Sequence, residues 1–196
     1  EIECGKGIRA SYFFRMTQKC FKEDVIRKIV AMQHEIAYQY EELARNKGNY
    51  ELAFYSFKDK LEKLRNYYPV VSISMHGSPL SPYDNKLLWE KYDYHMLGIK
   101  ADVYLDTDFK EVAYFTDTGR TWANAKVGLR DYSSMHAACF KNTSEIIHAF
   151  KQHSMPDAMM FTIHSNRWNQ NAILWTEELI LQKIKNQLKR FLKLYR

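Results

Sequence analysis

Three stretches, Ala10-Ser-Tyr-Phe-Phe-Arg15, Glu23-Asp-Val-Ile-Arg-Lys-Ile-Val-Ala-Met32 and His34-Glu-Ile-Ala-Tyr-Gln-Tyr40, follow one another near the start of the chain. The first and third are short and rich in aromatic and apolar residues, the length and composition of strands. The middle one sets Val25, Ile26, Ile29 and Val30 at helical steps. Strand, helix and strand in that order form the unit from which parallel sheets are built, because a parallel connection needs a crossover of about a dozen residues.

The alternation continues outward from this unit. Tyr50 to Asn66 reads as a helix, with Leu52, Phe54, Tyr55, Phe57, Leu61 and Leu64 on its buried side. Pro69-Val-Val-Ser-Ile-Ser-Met75 is a third strand, and Asp84 can cap a helix running to about Tyr92. Ala101 to Leu105 and Val112 to Phe115 are two more strands, either a hairpin or successive elements. Thr143 or Ser144 starts a helix to about Gln152, and Ala158 to Ile163 is a sixth strand. The expectation is an α/β fold, a parallel sheet or barrel in a single domain over residues 1–196, closed by an amphipathic helix within 169–196.

The composition excludes several classes. With 46% hydrophobic and 27% charged residues, the 196-residue chain can bury a core and is not wholly disordered. No apolar run approaches the roughly 18 residues of a membrane-spanning helix. Residues 1–10 hold no apolar run of the signal-peptide kind, and the chain reads as opening in mid-element. Cys4, Cys20 and Cys139 are too scattered for a disulfide framework, so reduced thiols and a cytoplasmic location are expected.

The net charge of +6 is local. Lys183, Lys185, Lys189, Arg190, Lys193 and Arg196 against Glu177 and Glu178 give +4 between residues 177 and 196. Ile180, Ile184, Leu188, Phe191, Leu192 and Tyr195 recur through the same stretch at three- and four-residue steps. That is an amphipathic helix, read first as a packing face with solvated lysines. A membrane-surface helix or a nucleic-acid-binding helix is the alternative. The rest of the chain carries only +2, no general footprint for nucleic acid.

Polar residues gather where the strands end. The second strand exits through Gln39 and Glu41, the third into His76, the fourth into Asp106 and Asp108. The fifth exits into Thr116-Asp-Thr-Gly-Arg-Thr-Trp122 and the sixth into His164-Ser-Asn-Arg-Trp168. In parallel α/β folds the carboxyl ends of the strands share a rim, where active sites are built. His, Asp, Glu and Arg converging there, with Trp rings beside them, suit acid–base or metal chemistry on a sugar. Each also has a plain reading: a hydrogen-bonded loop His, polar turns at Asp106, Asp108 and Asp117, a solvated Glu41, and core positions for Trp122 and Trp168. His34 reads as a buried residue at a strand start, not a ligand.

Five segments carry a family resemblance: Gly7-Ile-Arg-Ala-Ser-Tyr-Phe-Phe-Arg15, Gln33-His-Glu-Ile-Ala-Tyr-Gln-Tyr-Glu41, His76-Gly-Ser-Pro-Leu-Ser81, Tyr114-Phe-Thr-Asp-Thr-Gly-Arg-Thr-Trp122 and Ile163-His-Ser-Asn-Arg-Trp168. Together they resemble the polysaccharide deacetylase superfamily, the NodB-like carbohydrate esterases, and within it the branch found in bacterial capsule and O-antigen gene clusters. The resemblance implies a distorted seven-stranded (β/α) barrel. It implies a divalent metal, usually zinc, held by an Asp and two His, with a second Asp as base and a late His that protonates the leaving amine. His164 matches that late His, with Asp117 beside it. Asp117 and Arg120 would orient His164 or grip a sugar carboxylate or hydroxyl, Arg15 would bind a glycan oxygen, Arg167 would contact the substrate, and Trp122 and Trp168 would offer ring faces to a pyranose.

The sequence departs from the family pattern twice. The Asp-bearing first strand would lie upstream of Gly7, and the first Asp in the chain is Asp24. The expectation is a barrel without its first strand, poorly stable alone or with another segment or an oligomeric partner covering the open edge. The family's paired metal-binding His align on Gln39 and Leu43. Gln39 is a poor zinc ligand and Leu43 none, which leaves Glu41 and His76 as the nearest substitutes. The function implied is metal-dependent removal of N-acetyl or O-acetyl groups from a surface glycan or its precursor. The alternative is a carbohydrate-binding relative with an eroded metal site, and a third reading, nucleic-acid binding through the last helix, predicts steep salt dependence.

Overall fold

The computed structural model describes all residues except 78–80, 121, 123–139, 168, 170, 195 and 196; of 166 and 188–194 it describes only the backbone. The sequence reads as one domain, and the structure gathers it into two compact units, Glu1–Thr107 and Asp108–Arg196.

In the first unit four strands, β1 (Ser11–Phe14), β2 (Glu35–Tyr40), β3 (Ser72–Met75) and β4 (Ala101–Asp102), form one sheet in the order β1-β2-β3-β4. Every pairing is parallel, with Phe14 opposite Tyr38, Tyr38 opposite Ile73, and Ile73 opposite Asp102. Central strand β2 is covered on both faces: Ile36, Ala37, Tyr38 and Tyr40 are fully buried. This explains why it reads as an almost continuous apolar run rather than an alternating one.

Helix α1 (Ile2–Gly5) precedes β1, and α2 (Glu23–Ala31) crosses from β1 to β2. Ile26 and Ile29 of α2 face the sheet, while Val25 is exposed. Glu23 and Asp24 fill its first turn, where carboxylates suit the helix dipole. Two helices, α3 (Glu42–Arg45) and α4 (Tyr50–Arg65), connect β2 to β3. Asn49 caps α4 by accepting a hydrogen bond from the Leu52 N–H at 3.0 Å.

Ala53, Phe57, Leu61 and Leu64 form the inner face of α4. Leu52 and Tyr55, expected on that face, are exposed. The reason is the helical period: steps of four and three starting at Ala53 define a stripe that turns Leu52 and Tyr55 outward. A small residue holds the register that the larger neighbours suggest for themselves. Phe57 packs against Tyr38, Tyr40 and Trp89, with ring centroids 5.0, 5.7 and 4.8 Å away.

After β3 the carboxylate of Asp84 accepts from the Lys86 N–H, starting a short 3-10 turn at Asn85–Leu87 that runs into α5 (Leu88–Lys91). The helix expected from Asp84 is therefore a 3-10 turn and a single α turn. Ala101–Leu105 and Val112–Phe115 are not a hairpin: β4 pairs with β3, and β5 (Ala113–Thr116) pairs in parallel with β6 (Met159–Thr162) in the second unit.

Between β5 and β6 runs α6 (Thr143–Lys151). Its cap is Asn142, one residue before the start expected from sequence. The Asn142 Oδ1 accepts from the Glu145 N–H at 3.1 Å, and the Glu145 carboxylate accepts from the Lys141 N–H at 2.7 Å. Ala113, Phe115, Trp122 and Ile146 form the buried centre of this unit, with Phe140, Met155, Met159 and Phe161 around them. Helix α7 (Ala172–Leu194) ends the described chain. Among the described residues no helix is long and apolar enough to cross a membrane.

Candidate functional site

Parallel pairing places the carboxyl ends of β1 to β4 on one edge of the sheet, so the residues that follow them meet there. Arg15 follows β1, Glu41 follows β2, and His76 follows β3, with the His76 N–H donating to the Tyr40 carbonyl at 2.7 Å. Glu41 is the hub. Arg15 Nη2 lies 2.6 Å from Glu41 Oε2, Arg45 Nε lies 2.5 Å from Oε1, and His76 Nδ1 lies 3.3 Å from Oε2. Burial pushes the Glu41 carboxyl up, but the hydrogen bonds and charges of Arg45 and Arg15 outweigh it and hold the group below the ordinary Glu range.

Behind this rim two further carboxylates are buried. Glu42 accepts from the Tyr38 hydroxyl at 2.5 Å, from Lys60 at 2.8 Å and from the Glu41 N–H at 2.8 Å. Asp102 accepts from the Tyr40 hydroxyl at 2.7 Å and from the Tyr104 N–H at 2.9 Å. Burial raises the Asp102 carboxyl despite these donors. Asp106, expected at the rim, is turned back into the loop: its carboxylate accepts from the Asp102 N–H at 2.6 Å and from the Tyr94 hydroxyl at 2.8 Å. Asp108 accepts from the Lys110 N–H at 2.9 Å, the polar-turn role.

Glu41, His76 and Gln39, expected to hold a metal, do not fit one. Both oxygens of Glu41 face guanidinium groups, so two fixed cations stand where a divalent ion would bind. His76 directs Nδ1 at the same carboxylate, and Gln39 is half-buried within β2 opposite Ser74. Among the described residues no three His, Cys, Asp or Glu side chains gather closely enough to hold a metal ion. Arg15, expected to reach a glycan oxygen, spends Nη2 on Glu41, while its Nε is buried and, among the described residues, without a hydrogen-bond partner. His34 is buried as expected, with Nδ1 accepting from the Ala10 N–H at 3.2 Å.

The second unit repeats the same design at the end of its two-stranded sheet. Asp117 follows β5 and His164 lies just past β6. Asp117 Oδ1 is 2.5 Å from His164 Nδ1, and Oδ2 accepts from the His164 backbone N–H at 3.1 Å. The Asp117 N–H donates to the Thr162 carbonyl at 3.2 Å, extending the strand ladder into the site. A carboxylate only accepts, so the neutral imidazole carries its proton on Nδ1 and leaves Nε2 with a lone pair. Among the described residues Nε2 has no hydrogen-bond partner, and the side chain is about two-fifths exposed at 39%.

Arg167, in the short turn Ser165–Arg167, sets Nη1 3.2 Å from Asp117 Oδ1. Its Nε and Nη1 are buried and, among the described residues, without hydrogen-bond partners. Burial lowers the guanidinium pKa, and the charges of Asp117 and Glu178 work against that shift. Arg167 thus sits behind the dyad as a positive wall.

Arg120 and Trp122 are placed differently from expectation. Gly119 and Arg120 both have positive φ, 73° and 58°, which turns the chain back after Asp117. The Arg120 guanidinium pairs with Glu178 and lies 4.6 Å from the centre of the Trp175 ring. It anchors α7 rather than reaching out to a sugar. Trp122 is buried against Phe161, and its indole N–H donates to Thr143 Oγ1 at 3.1 Å. Its ring is part of the core. Trp168, expected as a stacking ring, lies outside the described residues.

Arg45, Glu42, Lys60 and Glu178 were not legible as site residues. The signal for Arg45 was present in Glu41-Glu-Leu-Ala-Arg45, a carboxylate and a guanidinium four residues apart immediately after a strand. Compared with protein-family models, with curated proteins and with solved structures, the chain finds no match.

Proposed function

We propose that this chain is a polysaccharide deacetylase-like protein that hydrolyses an N-acetyl or O-acetyl group on a surface glycan or its precursor, on a distorted (β/α) barrel of the type its segments resemble. The observation that carries this reading is the Asp117–His164 pair: an imidazole fixed by a carboxylate at 2.5 Å, with its other nitrogen unpaired among the described residues. Asp117 sets the tautomer and stabilises the imidazolium, so His164 can take a proton at Nε2 and return it. For an acetylated amine, water adds to the acyl carbon, the C–N bond breaks, and the proton that His164 took from water goes to the leaving nitrogen. The products are acetic acid and the free amine, which exchange a proton at neutral pH to give acetate and the ammonium.

A second reading, a carbohydrate-binding relative without turnover, is favoured by the Glu41 clamp, because guanidinium groups occupy both oxygens of the carboxylate that would have to serve as a metal ligand. Acetate release from an N-acetylated amino-sugar oligomer, with and without added zinc, separates the two. The enzyme reading expects release that disappears in His164→Gln. Tight oligomer binding with no acetate under any metal condition would establish the binding reading instead.

A further inference from the structure

Helix α7 is seated on its own unit by the wrong face for an ordinary surface helix. The residues that hold it are polar or mixed: Glu178 pairs with Arg120, and Asn186 Nδ2 donates to the Gly119 carbonyl at 2.8 Å. Gln182 Nε2 donates to Asn186 Oδ1 at 2.8 Å, and Trp175 lies under the Arg120 guanidinium. At 100° per residue, positions 175, 178, 182 and 186 form a single stripe. The opposite stripe is open and, from Ile180 onward, apolar; exposed Glu177 lies on it one turn earlier. Ile173, Ile180, Leu181 and Ile184 are 78%, 54%, 47% and 53% exposed. Of the apolar stripe expected to be a packing face, Ile180 and Ile184 are turned outward, the reverse of the normal arrangement, while the side chains of Leu188, Phe191, Leu192 and Tyr195 lie outside the described residues.

The charges around that stripe say what it fits. Lys183 and Lys185 stand one on each border of Ile184, by the same angular step, where long side chains lie along apolar surface and lift their ammonium groups outward. From Lys183 to Arg196 the sequence carries six basic residues and no acidic one, while Glu177 and Glu178 precede the first lysine. Two parallel copies of this helix would bring like charges together, and an antiparallel pair would still set Lys183 and Lys185 of one copy beside those of the other. A negatively charged surface with an apolar interior matches both features.

We propose that the outward face of α7 docks onto an anionic lipid surface, lying in its plane with Ile180, Leu181 and Ile184 toward the acyl chains and the lysines at the headgroups. The attraction grows toward the carboxyl end, away from Glu177. This surface is independent of the Asp117–His164 chemistry.

The test is co-sedimentation of the full 196-residue chain with phosphatidylcholine vesicles, with and without phosphatidylglycerol. Binding is expected only when phosphatidylglycerol is present, falling as salt is raised. Ile180→Glu with Ile184→Glu should weaken it about tenfold per site, because burying each isoleucine is worth roughly that factor. Lys183→Glu with Lys185→Glu should weaken it about fivefold per lysine or more. All four positions are exposed, so circular dichroism should be unchanged. Absence of phosphatidylglycerol-dependent binding, or binding unaffected by the isoleucine changes, would overturn the proposal. So would a stable dimer that the isoleucine changes dissociate, or equal affinity for a nucleic-acid duplex.

Discussion

Asp117 holds His164 at two points: one carboxylate oxygen lies 2.5 Å from the ring Nδ1, and the other accepts the His164 backbone N–H at 3.1 Å. The ring and the backbone beneath it are therefore positioned by the same group. That group sits at the end of the neighbouring strand, so the geometry of the pair is set by the parallel pairing of β5 with β6.

Asp117→Asn should leave the fold intact and change the chemistry. An amide cannot stabilise an imidazolium as a carboxylate does, and it can impose the other tautomer. Acetate release should fall about 10²- to 10⁴-fold. The change should be read in turnover and in the pH profile, with the circular dichroism spectrum unchanged. An activity within a factor of about two of wild type would remove Asp117 from the reaction.

Glu41 should make the first unit sensitive to acid. Its carboxyl is held below the ordinary value of 4.5 in the folded chain. A depressed acid contributes stability that is present above its unfolded pKa and is lost as pH falls through the folded one. The urea midpoint should therefore decline as pH is lowered past about 4.5, and Glu41→Gln should flatten that decline. At neutral pH the same change should cost about 1.5–3 kcal/mol, the value of hydrogen bonds to charged groups. An unchanged acid slope in Glu41→Gln would contradict the clamp.

Phe57→Ala should be the most damaging single change in the first unit. Phe57 is fully buried and touches three aromatic rings, so truncation leaves a cavity under the sheet. A loss of about 3–5 kcal/mol is expected in chemical denaturation. The Asp117–His164 pair lies in the other unit, so mild conditions that keep the variant folded should preserve its acetate release.

Trp122→Phe separates a core role from a sugar-stacking one. The variant keeps an aromatic ring and loses the hydrogen bond to Thr143. Stability should drop by about 1 kcal/mol, and affinity for an acetylated oligosaccharide should be unchanged. A tenfold loss of affinity with no loss of stability would return Trp122 to the binding surface.

The strands and their direction were legible because each is a short apolar run closed by polar residues, and because helix-length segments lie between them. The convergence of polar residues at strand exits was legible for the same reason: parallel strands put Arg15, Glu41 and His76 on one edge, and Asp117 with His164 on another. What was not legible is which partner each side chain chooses. Glu41 reads as a ligand by position, but Arg45 comes from a one-turn helix that no periodicity announces. Arg120 reads as a sugar-binding group until Glu178, fifty-eight residues later, takes its guanidinium. The apolar side of α7 reads as a packing face because sequence shows that a stripe exists, not which side of the helix meets the rest of the unit.

Tyr40 and Glu41 are consecutive, yet they reach different strands of the sheet. The Tyr40 hydroxyl binds Asp102 on β4, while the Glu41 carboxylate gathers Arg15 after β1 and His76 after β3. One dipeptide thus works as a clasp for all four strand ends. Slackening at either outer strand is therefore felt at the same peptide bond, through a link that runs inward by the buried Tyr40–Asp102 bond and outward by the Glu41 carboxylate.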